Sequence, residues 1–192
     1  MTFNPLCFVT INVVDTCAMW NILSSDVLYK SAISAGVTIS CTAFVFYECV
    51  IKERKTSSSE DIQLQNKLKA EMGKNINVYH LEIEDLQELR ILESRKNLGK
   101  GELSSIAFAN RTRQAFLTDD QKARKLATEV MKHSPVQTTP YLFGWLVFNN
   151  HVLDHEKNTI IEQHKKFNRP LAEYFDQIYL EALQYKLKQP IA

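Results

Sequence analysis

Several common routes to function are missing from this sequence of 192 residues. There is no C-x-x-C pair. The four cysteines, Cys7, Cys17, Cys41 and Cys49, stand apart, each in or beside an apolar segment. They read as buried thiols in a reducing compartment, not as a disulfide frame or a zinc site. There is no P-loop and no G-x-G-x-x-G turn, the two glycine-rich phosphate cradles. No apolar run is long enough to span a bilayer, and no basic n-region precedes one at the N-terminus. A cytoplasmic protein, neither secreted nor membrane-bound, is therefore expected. A surplus of charge is absent too: 23 Lys and Arg face 22 Asp and Glu, a formal net charge of +1. Attraction to a polyanion would have to come from a local basic patch. What is present is an ordinary globular composition, 45% hydrophobic and 23% charged, long enough for one sizeable core and a small extension.

Short β-branched runs alternate with helical patterns. Phe8 to Val14 reads as a buried strand that stops abruptly at Asp15, since Val and Ile suit a covered, pleated surface. Thr16 is placed to cap the helix suggested by Ala18, Trp20 and Leu23. Ser25 to Ala35 predicts a short helix and Gly36 to Cys41 a second strand. Thr42 then caps a helix over Ala43 to Lys52. A polar loop is expected over Glu53 to Glu60, with its serine run, and a helix over Ile62 to Met72 ended by Gly73. Val78 to Leu81 is a short extended piece and Glu82 to Arg95 a helix. Leu98 to Gly101 reads as a turn and Glu102 to Ala109 as a compact helix. Ala115 to Thr118 is a third strand, Gln121 to Met131 a helix, and Pro135 to Thr138 a further strand. This alternation predicts an α/β protein with a parallel sheet covered on both faces.

Right-handed crossovers put the carboxyl ends of parallel strands on one edge, where open α/β sheets bind ligands. Asp15 ends the first strand, Glu48 lies in the helix after the second, and Asp119 and Asp120 follow the third. Glu102 opens the helix before it. Any one of these alone suits a helix start or a solvated surface. Glu48 resists that explanation, because it sits among Phe44, Phe46, Tyr47 and Val50. Crowded carboxylates repel unless a cation lies between them. An all-oxygen ligand set suits Mg²⁺ or Mn²⁺, and such a site activates water for attack on a phosphodiester. Basic residues recur beside the acids: Lys52, Arg54 and Lys55, then Arg111 and Arg113, then Lys122, Arg124 and Lys125. They are candidates for positioning phosphates.

In order, these segments resemble the PIN-domain family of small metal-dependent ribonucleases. Val13-Val14-Asp15-Thr16 is similar to the family's opening strand with its first acid, and Thr42 to Glu48 to the helix bearing the second. Gly101-Glu102-Leu103-Ser104-Ser105-Ile106-Ala107-Phe108-Ala109 resembles the Gly-Glu-led helix with the third. Leu117-Thr118-Asp119-Asp120, followed by Lys122, Ala123 and Arg124, resembles the fourth. The resemblance covers roughly Phe8 to Thr138. It implies a three-layer α/β/α Rossmann-like sandwich with a mostly parallel central sheet. It implies an endonuclease that hydrolyses RNA with Mg²⁺ or Mn²⁺, of a toxin or RNA-processing type. Asp15, Glu48, Glu102 and Asp120 would then be catalytic, and Asp15, Glu48, Glu102, Asp119 and Asp120 would gather at the metal; of the last two the Thr-x-Asp pattern favours Asp120 as the ligand. Metal-bound water would be the nucleophile, and Thr16 and Thr118 would support the acids by hydrogen bonds. Lys52, Arg54, Arg111, Arg113, Lys122 and Arg124 would face RNA. A small antitoxin-like inhibitor and a second copy of the chain stay open as partners.

The rival within this fold is a binding module without catalysis, against which the retention of all four acids speaks. A phosphatase of the haloacid dehalogenase type would need a second Asp where Cys17 stands. A receiver domain would need a lysine after a late strand, and none is evident.

Residues 1–139 are thus read as the nuclease domain and 140–192 as a helical extension, packed on the domain or on a partner. Tyr141 to Phe148 is densely apolar and is expected to pack on the domain. Ile160 to Phe167 and Leu171 to Leu187 predict two more helices, parted by Arg169-Pro170. The stripe Leu171, Tyr174, Phe175, Ile178, Tyr179, Ala182 and Leu183 is expected to cover the chain's own core, or failing that a second subunit. His151 and His155, four apart, read as a solvated helix end.

Overall fold

The computed structural model describes residues 3–52, 58–94 and 97–188. Arg54 and Lys55 lie outside them, as does most of the loop expected from Glu53. Five short strands form one parallel sheet: β1 (Ile11–Val14), β2 (Thr38–Thr42), β3 (Ile76–Tyr79), β4 (Ala115–Leu117) and β5 (Val136–Gln137). Their order across the sheet is β3-β2-β1-β4-β5. Helices α1 (Thr16–Leu23) and α2 (Asp26–Ser34) connect β1 to β2. α3 (Ala43–Phe46) and α4 (Ser59–Glu71) lead to β3, and α5 (Ile83–Glu93) and α6 (Lys100–Thr112) to β4. After α7 (Gln121–Val130) and β5 come α8 (Thr139–Phe148), α9 (Glu156–Lys166) and α10 (Ala172–Lys188).

The period of two along each strand divides the core in half. Val13 and Phe116 enter a cluster with Leu103 and Ile106 of α6 and Leu126 of α7. Their neighbours Val14 and Leu117 enter the opposite cluster, with Met19 of α1, Leu28 of α2, Phe143 of α8 and Phe175 of α10. Both faces are therefore covered, as an all-parallel sheet requires, and the architecture is the three-layer α/β/α sandwich. The order reverses between β1 and β4, so their carboxyl ends flank the crevice where such sheets bind ligands.

Local chemistry moves several element boundaries. β1 begins only at Ile11, because Pro5–Cys7 is a 3₁₀ turn whose cap, Asn4, accepts from the Leu6 amide at 3.1 Å. Asp15, not Thr16, caps α1: its Oδ1 accepts from the Ala18 amide at 2.8 Å. Thr42 does cap α3. The helix after it then widens, since the Lys52 amide reaches back five residues to the Tyr47 carbonyl at 2.8 Å. Ser59 and Glu60 belong to α4 and not to a loop, because Ser58 and Asp61 cap it reciprocally. Lys100 and Gly101 belong to α6, with extended Gly99 as its cap, so the expected turn is shorter. His155 caps α9 while His151 precedes it, so the two imidazoles share no helix face.

The last three helices close the core on the α1 side. A Cβ on Gly144 of α8 would fall on Ile178 of α10 and on the ring of Phe3, so α10 crosses α8 where a side chain is missing. Phe175 and Ala182 are buried there, and Ile178, Tyr179 and Leu183 pack against the same cluster, while Tyr174 stays exposed. His164 of α9 is fully buried. Its Nε2 accepts from the Leu171 amide at 3.3 Å, so Nδ1 carries the proton toward Ser24 Oγ, 2.7 Å away. Burial, and then the Arg169 charge, hold its pKa down at about 4, keeping it neutral as a strut between helices.

Candidate active site

The acids reach the carboxyl edge from the ends of β1 and β4, the turn after α3 and the start of α6. Asp15 follows β1 and has no exposed surface. The Thr118 hydroxyl donates to its Oδ2, and Thr118 Oγ1 in turn accepts from the Asp120 amide at 3.1 Å. One hydroxyl thus ties the end of β1 to the acids after β4. Burial pushes the Asp15 carboxyl up to about 8, against the Ala18 amide and the Thr118 hydroxyl, with the charges of Asp119 and Glu102 adding to the rise. Asp120 caps α7, its Oδ1 accepting from the Ala123 amide at 2.7 Å.

Glu48 is half-buried and both its oxygens are engaged. Oε2 accepts from Thr16 Oγ1 at 2.7 Å, and Oε1 from the Gly101 amide at 3.1 Å. A Cβ at position 101 would overlap the Glu48 carboxylate, so glycine there leaves room for the acid. The next residue, Glu102, is therefore a neighbour of Glu48 on the same side of the sheet. Its Oε2 is buried without a formed hydrogen bond. Burial raises its pKa first, the Glu102 and Gly99 amides oppose, and the Glu48 and Asp120 charges raise it further. A Cβ on Gly99 would collide with that same Oε2.

Asp119 differs from the others. Asn21 Nδ2 donates to its Oδ2 at 2.8 Å, Thr139 Oγ1 to Oδ2 at 2.5 Å, and the Thr139 amide to Oδ1 at 2.9 Å. Burial raises its pKa against these donors. Asp119 thereby locks α1 and α8 to the end of β4. Asn21 and Thr139 went unnoticed in the sequence. Asn21 carried a signal of the same kind as Glu48, a polar residue inside the apolar run Ala18 to Leu23.

The five acids thus form one electrostatic set. Glu102 is coupled to Asp15, Glu48 and Asp120, and Asp119 to Asp15. Cys17, half-buried beside Asp15, Asp119 and Asp120, has its thiol pushed up to about 12, chiefly by burial and then by those charges. Among the described residues, no three His, Cys, Asp or Glu side chains are gathered as ready-made metal ligands. Of the expected RNA contacts, Lys52, Arg113 and Lys122 are exposed. Arg124 is partly buried, and its charge reaches Asp119. Arg111 has another occupation: Nε and a terminal nitrogen grip Asp85 at 2.7 and 2.9 Å, and the third nitrogen meets Glu82 at 3.2 Å.

A family model described as a PIN domain matches residues 26–133, just over half of the chain. The chain belongs to the PIN-domain family. The match spans Glu48, Glu102, Asp119 and Asp120, while Asp15 of this PIN domain stands ahead of it. PIN domains have a nuclease-type fold, and the parallel sheet and its acidic carboxyl edge agree with that. No curated protein and no solved structure matches the chain. Among the described residues, no helix of this PIN domain is long and apolar enough to cross a membrane.

Proposed function

We propose that this PIN domain is a metal-dependent endoribonuclease in which Asp15, Glu48, Glu102 and Asp120 hold Mg²⁺ or Mn²⁺. The observation that carries the reading is Glu102 Oε2, a buried acceptor without a formed hydrogen bond, beside carboxylates that raise its pKa. Natural structures rarely leave such an atom unmatched, and hard oxygen donors of this kind fit a divalent cation. Bound there, the cation would acidify a water and neutralise charge on the phosphoryl oxygens.

The chain's own residues do the positioning. Thr16 holds Glu48 and Thr118 holds Asp15, so two acids keep their aim while repelling their neighbours. Asp119, held by three hydrogen bonds from Asn21 and Thr139, serves as a brace and not as a ligand. Lys52, Arg113, Lys122 and Arg124 are the cations available for phosphate. Arg111 is left out because its guanidinium is taken. The free cysteines fit a reducing cytoplasm as the working compartment.

The test is a dye-quenched RNA incubated with the purified protein. Cleavage should appear with Mn²⁺ or Mg²⁺, stop with chelator, and vanish in Glu102→Gln. Cleavage that persists in both chelator and Glu102→Gln would overturn the reading, as would an RNA left whole at millimolar Mn²⁺.

A further inference from the structure

The geometry points to a nucleotide subsite in the cleft between α3 and the start of α6, where one RNA base stacks on Tyr47 while Lys52 and Lys100 hold its phosphate. This deepens the nuclease reading and rests on it. The cleft has a volume of about 550 Å³ and is walled by Phe44, Tyr47, Glu48, Lys52, Gly99 and Lys100 among others. That size lies within the range of small-ligand pockets.

Three features select a nucleotide. Tyr47 is 49% exposed although its neighbours Val45 and Cys49 are fully buried. It starts the widened turn closed by Lys52, and such turns recur at functional sites. The turn sends Tyr47 outward and Glu48 inward to Thr16 and Gly101. Phe44 adds a second partly buried ring. Two exposed lysines stand on opposite walls, Lys52 after the turn and Lys100 on α6. A flat apolar face flanked by two cations matches a ligand that carries both a planar ring and a phosphate. Finally, Glu48 is shared by the cleft and the acid set, so a nucleotide lying here adjoins the acids.

The test uses Glu102→Gln protein in Mg²⁺, which should keep RNA uncut, and fluorescence anisotropy of a labelled eight-nucleotide RNA. Tyr47→Ala should weaken binding about tenfold, while Tyr47→Phe and Tyr47→Trp bind like the parent. Lys100→Ala should lower the slope of log Kd against log salt by about 0.7. Abasic riboses scanned along the RNA should reveal one position whose loss does not add to that of Tyr47→Ala. Parent-like affinity in Tyr47→Ala, or losses that add at every position, overturns the subsite, as does a parent that binds no RNA. Cleavage by the wild-type protein is scored separately, so an active enzyme without a Tyr47 effect sinks the subsite alone.

Discussion

Two regions of this PIN domain bury carboxylates and treat them in opposite ways. Asp85, only 1% exposed, lies at the start of α5 and is clamped by Arg111 from α6. It also caps its helix through the Glu82 amide, and the guanidinium rests over the Phe108 ring. Both oxygens have donors, and the charge has a counter-charge. Asp15 is equally buried, yet its partners are a hydroxyl and an amide, and the groups pressing on it are acids. The fold is thus able to neutralise a buried acid with its own arginine and does so with a residue of the helix that carries Glu102. Where it does not, the deficit of positive charge belongs to the site and not to the scaffold.

The comparison is broken or sharpened by four experiments. The largest effect is expected from Asp15→Asn, which keeps the shape and removes the charge. RNA cleavage should fall about 10³-fold, the scale of losing a preorganised transition-state contact. Above pH 8, where Asp15 is ionised, metal-free protein should melt a few degrees higher, because a buried charge, and with it the repulsion from Asp119 and Glu102, is removed. A variant that cleaves normally would remove Asp15 from the site. Arg111→Ala should do the reverse. It strands a buried carboxylate and should cost about 3 kcal/mol in urea unfolding, the low end for broken pairs because the arginine is itself partly exposed. Cleavage per folded molecule should not change.

The third experiment is the pH dependence of metal-free stability. Asp15 has a folded pKa near 8 against an ordinary 3.8, so the folded state binds the extra proton. Its stabilising effect is complete below pH 3.8 and is lost as pH rises through 8. Neutral His164 acts oppositely, with a folded pKa near 4 against 6.5. Its contribution is present above 6.5 and is lost as pH falls through 4. Between pH 4 and 6.5 the two slopes offset. Between 6.5 and 8 the His164 slope is gone and the Asp15 slope remains, worth about 2 kcal/mol in total. Chemical denaturation across that window should show the fall in wild type and a much shallower one in Asp15→Asn. Saturating Mn²⁺ should flatten the wild type as well. The smallest effect is Gly101→Ala. The new methyl displaces the Glu48 carboxylate, so cleavage should drop roughly tenfold. Helix stability should hold or rise, since Ala exceeds Gly in a helix by about 1 kcal/mol.

Much of this was legible in the sequence because it is local. An apolar β-branched run ending at an acid marks a strand edge, and Asp15 and Asp119-Asp120 both follow that pattern. Glu48 stood out as an acid in an apolar helix, and its two hydrogen bonds account for its presence there. What stayed hidden depends on residues far apart in sequence. Asn21 and Thr139 grip Asp119 from 98 and 20 residues away, and no spacing rule joins them. Arg111 looked like a phosphate contact because it follows the Glu102 helix, whereas Asp85, 26 residues earlier, claims it. The shift of the α1 cap from Thr16 to Asp15 is a contest between adjacent side chains with nearly equal capping ability. Thr16 was then free to hold Glu48.

The division of the core into two faces has a consequence for the order of synthesis. The cluster under α5, α6 and α7 is complete once Val136 has been made. The cluster on the other face lacks Phe175 and Ala182 until α10 exists, although it contains Val14 from the first strand. A chain leaving the ribosome can therefore cover one side of its sheet some forty residues before the other. During that interval the α1 side of β1 already has Met19 and Leu28 but lacks Phe175 and Ala182, while Asn21, Asp119 and Thr139 are all in place. The newborn chain would hold every acid of its edge before the core beneath them is sealed.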